Sequence, residues 1–169
     1  MDYTRDLKCN KSQGGAGKLY VLPYTNIFDS SITIEDSILV QFPYSGIFDL
    51  NATNINYSID IKEDVDILHD IKVSFQLKQL NETDFFRDFI TKDFRIIIQD
   101  NNGKFRFLGL YNGLKGSIQE QIGTNRNEFN GYAFTFEGKE EINAPYLLDL
   151  DDFSIGGIIA LQYELQFNL

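Results

Sequence analysis

The stretch 96–109, IIIQDNNGKFRFLG, sets Asp100, Asn101, Asn102 and Gly103 between an apolar run and a basic-aromatic alternation. Oxygen-bearing side chains around a glycine can cradle a divalent cation or a phosphate. A calcium loop of the EF-hand kind needs ligands at its first, third and fifth positions, glycine at the sixth and glutamate at the twelfth. Here the glycine stands fourth and aromatic residues follow where ligands are required. The spacing predicts a type I hairpin turn, with Gly103 in a left-handed bulge position.

The other chemistry-bearing residues fail similar tests. Gly14-Gly15-Ala16-Gly17-Lys18 has a phosphate-loop look, but a Walker loop needs its two glycines five residues apart and Ser or Thr after the lysine, where Leu19 stands. His69 is the only histidine, which excludes a histidine-pair metal site, and no G-x-S-x-G elbow exists to recruit it into a triad. Its place before Asp70 at a strand start predicts an exposed structural role. Cys9 is the only cysteine, so an intrachain disulfide and a multi-cysteine zinc site are both excluded. Carboxylates cluster at Glu63, Asp64 and Asp66, and again at Asp149, Asp151 and Asp152. Either run can hold calcium or act as a glycosidase pair only if its members converge, and acidic loop runs are normally solvated. No catalytic signature emerges and no cofactor is expected; the reading is a non-enzyme.

The elements around these residues are mostly strands. The chain of 169 residues is long enough for one buried domain, and its 15 Phe and 9 Tyr favour sheet. Ile55, Tyr57, Ile59 and Ile61 alternate with Asn54, Asn56, Ser58 and Asp60. Ile71, Val73, Phe75 and Leu77 alternate with Lys72, Ser74, Gln76 and Lys78. These runs predict a long antiparallel pair with one wet face. Residues 81–92 carry the one helical stripe, Phe85, Phe86, Phe89 and Ile90, behind a capping Asn81. Strands over 94–99, 104–111, 131–137 and 157–167 follow, and 113–130 reads as a long loop. On the 96–109 hairpin, Phe94, Ile96 and Ile98 are expected in one core with Phe105 and Phe107, with Arg95, Lys104 and Arg106 outward. The fold class is mainly β: an antiparallel sandwich or partly open barrel of about seven or eight strands with one flanking helix. Residues 1–17 read as a flexible arm and 18–169 as a single domain.

Net charge is −10, with 25 acidic and 15 basic residues and no basic cluster. That opposes gripping nucleic acid, which needs grouped Lys and Arg, but suits a surface that lets DNA pass. No apolar run reaches membrane-spanning length, and no signal-like apolar segment opens the chain, so synthesis in a reducing cytoplasm is expected.

A resemblance covers roughly residues 9–148. Cys9-Asn10 leads into the glycine-rich arm and KLYVLPY, then come the alternating pair, the helix, RIIIQDNNGKFRFLGLYNGL, YAFTFEGKEE and NAPYLL. This order resembles tail-tube (major tail) or related virion structural proteins of tailed bacteriophages whose hosts are Bacteroidota. The end YLLDLDDFSIGGIIALQYELQF departs from a generic tube protein. The resemblance implies a virion subunit in hexameric rings stacked into a hollow tail tube. Its partners would be further copies and other tail or neck proteins, with DNA only in passage and no membrane. On that footing Asn54, Asn56, Ser58, Asp60, Lys72, Ser74, Gln76 and Lys78 are candidates for a lumen or subunit seam, and Asn10, Gly14, Gly15 and Gly17 for an inter-ring arm. The alternatives are a head–tail connector, ring or tail terminator, a carbohydrate-binding module stacking sugars on Tyr44, Tyr111 or Tyr146, and an enzyme using the loop carboxylates.

Overall fold

The computed structural model describes residues 15–25, 32–42, 47–50, 52–63, 65–78, 83–125, 127–147 and 158–159. Their strands are β1 (Ala16–Pro23), β2 (Thr33–Glu35), β3 (Ile38–Gln41), β4 (Ile47–Leu50), β5 (Thr53–Glu63) and β6 (Ile67–Leu77), followed by the helix α1 (Thr83–Thr91). After it come β7 (Asp93–Asp100), β8 (Phe105–Leu108), β9 (Leu114–Gln121), β10 (Gly131–Glu140), β11 (Tyr146–Leu147) and β12 (Ile158–Ile159). The described residues are mainly β with one short helix. One connected sheet runs β2-β3-β11-β8-β7-β9-β10-β6-β5, with β1 joining β4 to β7, and among the described residues it does not close into a barrel. Two of its pairings, β11 with β3 and β12 with β4, are parallel.

Two strands sit in the middle of everything. β1 pairs with β7 over most of its length, and both read as unbroken apolar runs, LYVL and III. Such runs belong to strands covered on both faces. Leu19, Val21, Ile96 and Ile98 face a first core with Val73, Phe75, Phe89, Phe134 and Phe136. Tyr20, Leu22 and Ile97 face a second core with Leu39, Phe42, Phe107, Leu110 and Leu147. Paired residues share a face, and the register sets Ile97 opposite Phe107. Phe105 and Phe107 therefore serve the second core and not the core of Ile96 and Ile98, which corrects the expected grouping. One residue of register reverses every side chain. Arg95, expected outward, lies on the second-core face and is only 1% exposed.

The expected loop over 113–130 also needs correction. Residues 114–121 form β9, pairing with β10 from Gln121 opposite Gly131 to Lys115 opposite Glu137. Gly116 conceals the alternation in the sequence, because the core position it occupies carries no side chain. Its missing Cβ is the space α1 uses: a methyl there would run into the carbonyl oxygen of Phe89 and lie 2.7 Å from the Phe136 ring. The loop proper covers 122–130, with residue 126 outside the described set.

A nine-residue helix is not stable alone in water, so α1 depends on docking. Phe89 supplies much of it, stacking on Phe94 at 4.7 Å and meeting Phe134 and Phe136 edge-on at 5.5 and 5.6 Å. Ile90, placed in the expected stripe, is exposed, and the side chains of Phe85 and Phe86 lie outside the described residues. The arm boundary shifts too. Gly17 lies within β1, and Asn101 donates its N–H to the Gly15 carbonyl at 3.1 Å, so ordered chain begins before residue 18.

Gly116→Ala is expected to cost about 1–3 kcal/mol by overpacking, and Phe89→Ala about 3–5 kcal/mol by leaving a cavity. Urea unfolding of both variants checks this; a wild-type midpoint for Gly116→Ala would contradict the docking of α1 on that glycine.

Candidate functional site on the polar face of the sheet

The long hairpin of β5 and β6 continues through β10 into β9, and the four strands share one exposed polar face. Antiparallel register builds it in ranks. Asn56 lies opposite Ser74, Ser74 opposite Thr135, and Thr135 opposite Ser117. In the next rank Ser58, Lys72, Glu137 and Lys115 line up, and in the next Asp60, Asp70 and Lys139. At the other end Asn54 enters a bulge at φ 51° and its amide donates to Gln76 Oε1 at 2.6 Å. Ser74 donates to Asn56 Oδ1 at 2.8 Å. Seven of the eight seam candidates thus lie in or beside this pairing, and Lys78 follows β6, exposed. What the sequence did not join to them is the contribution of β9 and β10, hidden by the glycine at 116.

The face is more nearly balanced than the acidic chain suggests. Its five lysines, Lys62, Lys72, Lys78, Lys115 and Lys139, stand among three carboxylates, Asp60, Asp70 and Glu137. Lys62 pairs with Asp70 at 2.8 Å, Lys139 reaches the same carboxylate at 3.9 Å, and Lys72 meets Glu137 at 2.8 Å. The hydrogen bond from Lys62 holds the Asp70 carboxyl below its ordinary value and raises the Lys62 ammonium. Such exposed pairs add little stability, but they neutralise charge locally. A shallow depression of ≈ 380 Å³ lies over Ser58, Asp60, Lys72 and Glu137. It is large enough for a small ligand, but charged side chains of a flat sheet form its walls, where ligand pockets are mostly apolar.

The remaining sequence candidates are placed as follows. Asp100 Oδ1 accepts the N–H groups of Asn102 and Lys104, both at 2.8 Å, and Gly103 turns at φ 82°. The DNNG segment is a hairpin corner whose carboxylate is committed to its own backbone. Glu63 and Asp66 are exposed at the tip between β5 and β6. Among the described residues no three His, Cys, Asp or Glu side chains are grouped to hold a metal. Cys9, Asn10, Gly14, Asp64, Tyr44 and 149–152 lie outside the described residues. Tyr146, offered for sugar stacking, has the Arg106 guanidinium 4.6 Å from its ring centroid, and Tyr111 is half-buried.

The sequence reading missed a buried polar cluster at one end of this sheet. His69, expected exposed, is buried and stands opposite Glu140 in the register. Glu140 is 2% exposed, and its Oε1 accepts the backbone N–H groups of Tyr111 and Asn112 at 3.1 and 2.9 Å. Arg95 donates to the carbonyls of Leu110 and Thr25 at 2.8 and 3.0 Å and lies 4.2 Å over the Tyr24 ring. Tyr24 in turn donates to the Tyr111 carbonyl at 2.7 Å. These bonds hold the 109–113 turn, which reverses on the left-handed Gly109 and Gly113, against the end of β10. Glu140 Oε2 and His69 Nδ1 have no hydrogen-bond partner among the described residues. The signal in the sequence was polarity out of phase at His69 and Glu140, which fall where the alternation calls for an apolar residue; Arg95 gave none, because β7 is buried on both faces. Comparison of the chain with family models, curated proteins and solved structures found no match.

Burial pushes the Glu140 carboxyl above its ordinary value, against the two backbone N–H bonds and Arg95, which lower it. Between the unfolded and the higher folded value, the native protein holds a proton that the unfolded chain has released. The contribution of Glu140 to stability is therefore greatest at low pH and falls as pH rises through that window. Glu140→Gln keeps an acceptor and is expected to flatten this decline in urea unfolding measured from about pH 4 to about pH 8. Glu140→Ala leaves two donors unpaired and should cost about 2–3 kcal/mol. An unchanged pH profile in Glu140→Gln would contradict the assignment.

Proposed function

We propose that this chain is a structural virion subunit that assembles into stacked rings as the tail tube of a tailed bacteriophage, forming a conduit for DNA. The observation that carries the reading is the β5–β6 hairpin, which ends the sheet and runs past its own core. Among the described residues β5 is the last strand in the sheet order, with β6 as its hydrogen-bonded neighbour. Its apolar side is well covered at Ile55 but uncovered towards the tip, where Ile61 is 62% and Ile67 58% exposed. An open strand edge beside uncovered apolar residues is a surface that proteins normally protect. A neighbouring copy protects it in an assembly.

The polar face suits a conduit. Hydroxyls and amides are interleaved with its charges, and most of those charges are paired across strands. Tight DNA binding releases counterions through grouped, unpaired cations, and this face offers few. DNA in passage meets a wall that neither holds it nor repels it strongly. The resemblance of residues 9–148 to tail-tube proteins supports the same reading.

Light scattering and negative-stain imaging of the purified full chain test this. Rings or tubes are expected, with binding to duplex DNA at physiological salt no tighter than about 10⁻⁴ M, the weak end of non-specific association. Rings that never stack would favour a connector or terminator. A mass of one 19.4 kDa chain at every concentration, with no ring in any image, would overturn the proposal.

A further inference from the structure

Three Asn-Gly dipeptides occur in the chain, at 102–103, 112–113 and 130–131. At this dipeptide an asparagine can convert without any enzyme. The glycine nitrogen gives up its proton and attacks Cγ of the preceding side chain; the Cγ–Nδ2 bond breaks, and ammonia leaves with a proton. Water then opens the cyclic imide at either carbonyl, leaving aspartate or isoaspartate. Glycine favours the first step because no Cβ hinders its nitrogen. The ring closes only if the Asn-Gly peptide can rotate, and that rotation swings the glycine Cα through its surroundings.

The fold treats the three glycines differently. Gly131 opens β10 opposite Gln121, where a methyl would run into the carbonyl oxygen of Leu77 and lie 3.2 Å from the Lys78 Cα. Gly113 is buried, and a methyl there would lie 2.8 Å from the Tyr24 ring and 3.2 Å from Asp93 Cβ. Its N–H is also held by the Gly109 carbonyl at 3.2 Å. At Gly103 the same methyl would meet nothing within 4 Å, and residues 101–104 are all exposed. Rotation there breaks the turn bond from the Gly103 N–H to the Asp100 carbonyl, 3.0 Å long, but water can take its place.

We propose that Asn102 is a modification site of the native protein, deamidating to aspartate and isoaspartate while the fold shields Asn112 and Asn130. The product alters the corner. Asp100 Oδ1 accepts the N–H groups of residues 102 and 104, and isoaspartate inserts one more backbone carbon between those two donors. Either product sets a new carboxylate beside Asp100 in a chain already at −10. Asn101 stands between them and holds the start of β1 through its N–H to the Gly15 carbonyl. Conversion at 102 therefore loosens the point where β1 begins.

Peptide mapping by mass spectrometry tests this on the purified full chain, aged in warm, mildly alkaline buffer with and without guanidinium chloride. In the native protein Asn102 is expected to convert at least about tenfold faster than Asn112 or Asn130, a barrier difference of about 1.4 kcal/mol. In denaturant the three should convert at similar rates, and Gly103→Ala should slow conversion at 102 alone. In the converted fraction, separated by charge, hydrogen exchange at the Asn101 N–H should be faster than in fresh protein. Native Asn112 or Asn130 converting as fast as Asn102 overturns the assignment. So does an intact Asn102 in native protein once the denatured chain has reacted at all three sites. Unchanged exchange at the Asn101 N–H overturns the loosening of β1.

Discussion

The double burial of the β1–β7 ribbon is the constraint on which the rest of the structure depends. Two adjacent strands with apolar residues on both faces must be covered twice, and the chain does so with different partners. On one side lie the inner faces of β6 and β10 with α1; on the other lie β3, β8 and β11. The polar face can be polar because the inner side of the same sheet is committed to this ribbon. Arg95 is the one buried charge in the ribbon, and its bonds to Leu110 and Thr25, with Tyr24 beneath it, fix the turn to which Glu140 also holds.

That arrangement limits how far the sheet can satisfy itself. The ribbon and α1 cover the inner face near Val73, Phe75, Phe134 and Phe136, where the aromatic rings stack. They do not reach Ile61 and Ile67. Among the described residues, a hairpin longer than its own core is left with uncovered apolar residues and an unpaired edge at its far end. Both are costly for a lone molecule and useful to a repeated one.

Legibility followed period and failed where one residue did two jobs. The β5–β6 pair was readable because eleven-residue strands with a wet face alternate cleanly, and the DNNG corner because turn chemistry is local. β9 was not readable, since Gly116 is a core position emptied to admit a helix. The two faces of β7 were not separable either, because a run such as Ile96-Ile97-Ile98 carries no period. His69 and Glu140 break the alternation at one rank of adjacent strands, and only the register brings them opposite each other. Seven of the eight seam candidates lie in or beside the polar pairing of β5 and β6, while the face's breadth of four strands and its near-balance of charge came from pairings between residues far apart in the chain.

The assembly reading then reduces to an orientation: the ranks of Asn56, Ser74, Thr135 and Ser117 should look inward on whatever DNA passes. The most direct measurement is a cryo-electron microscopy reconstruction of the assembled particle with the subunit fitted into it. The account predicts that the β5-β6-β10-β9 face lines the axial channel. A particle in which that face looks outward to solvent, or in which the channel is lined by the β2–β3 side, would contradict it.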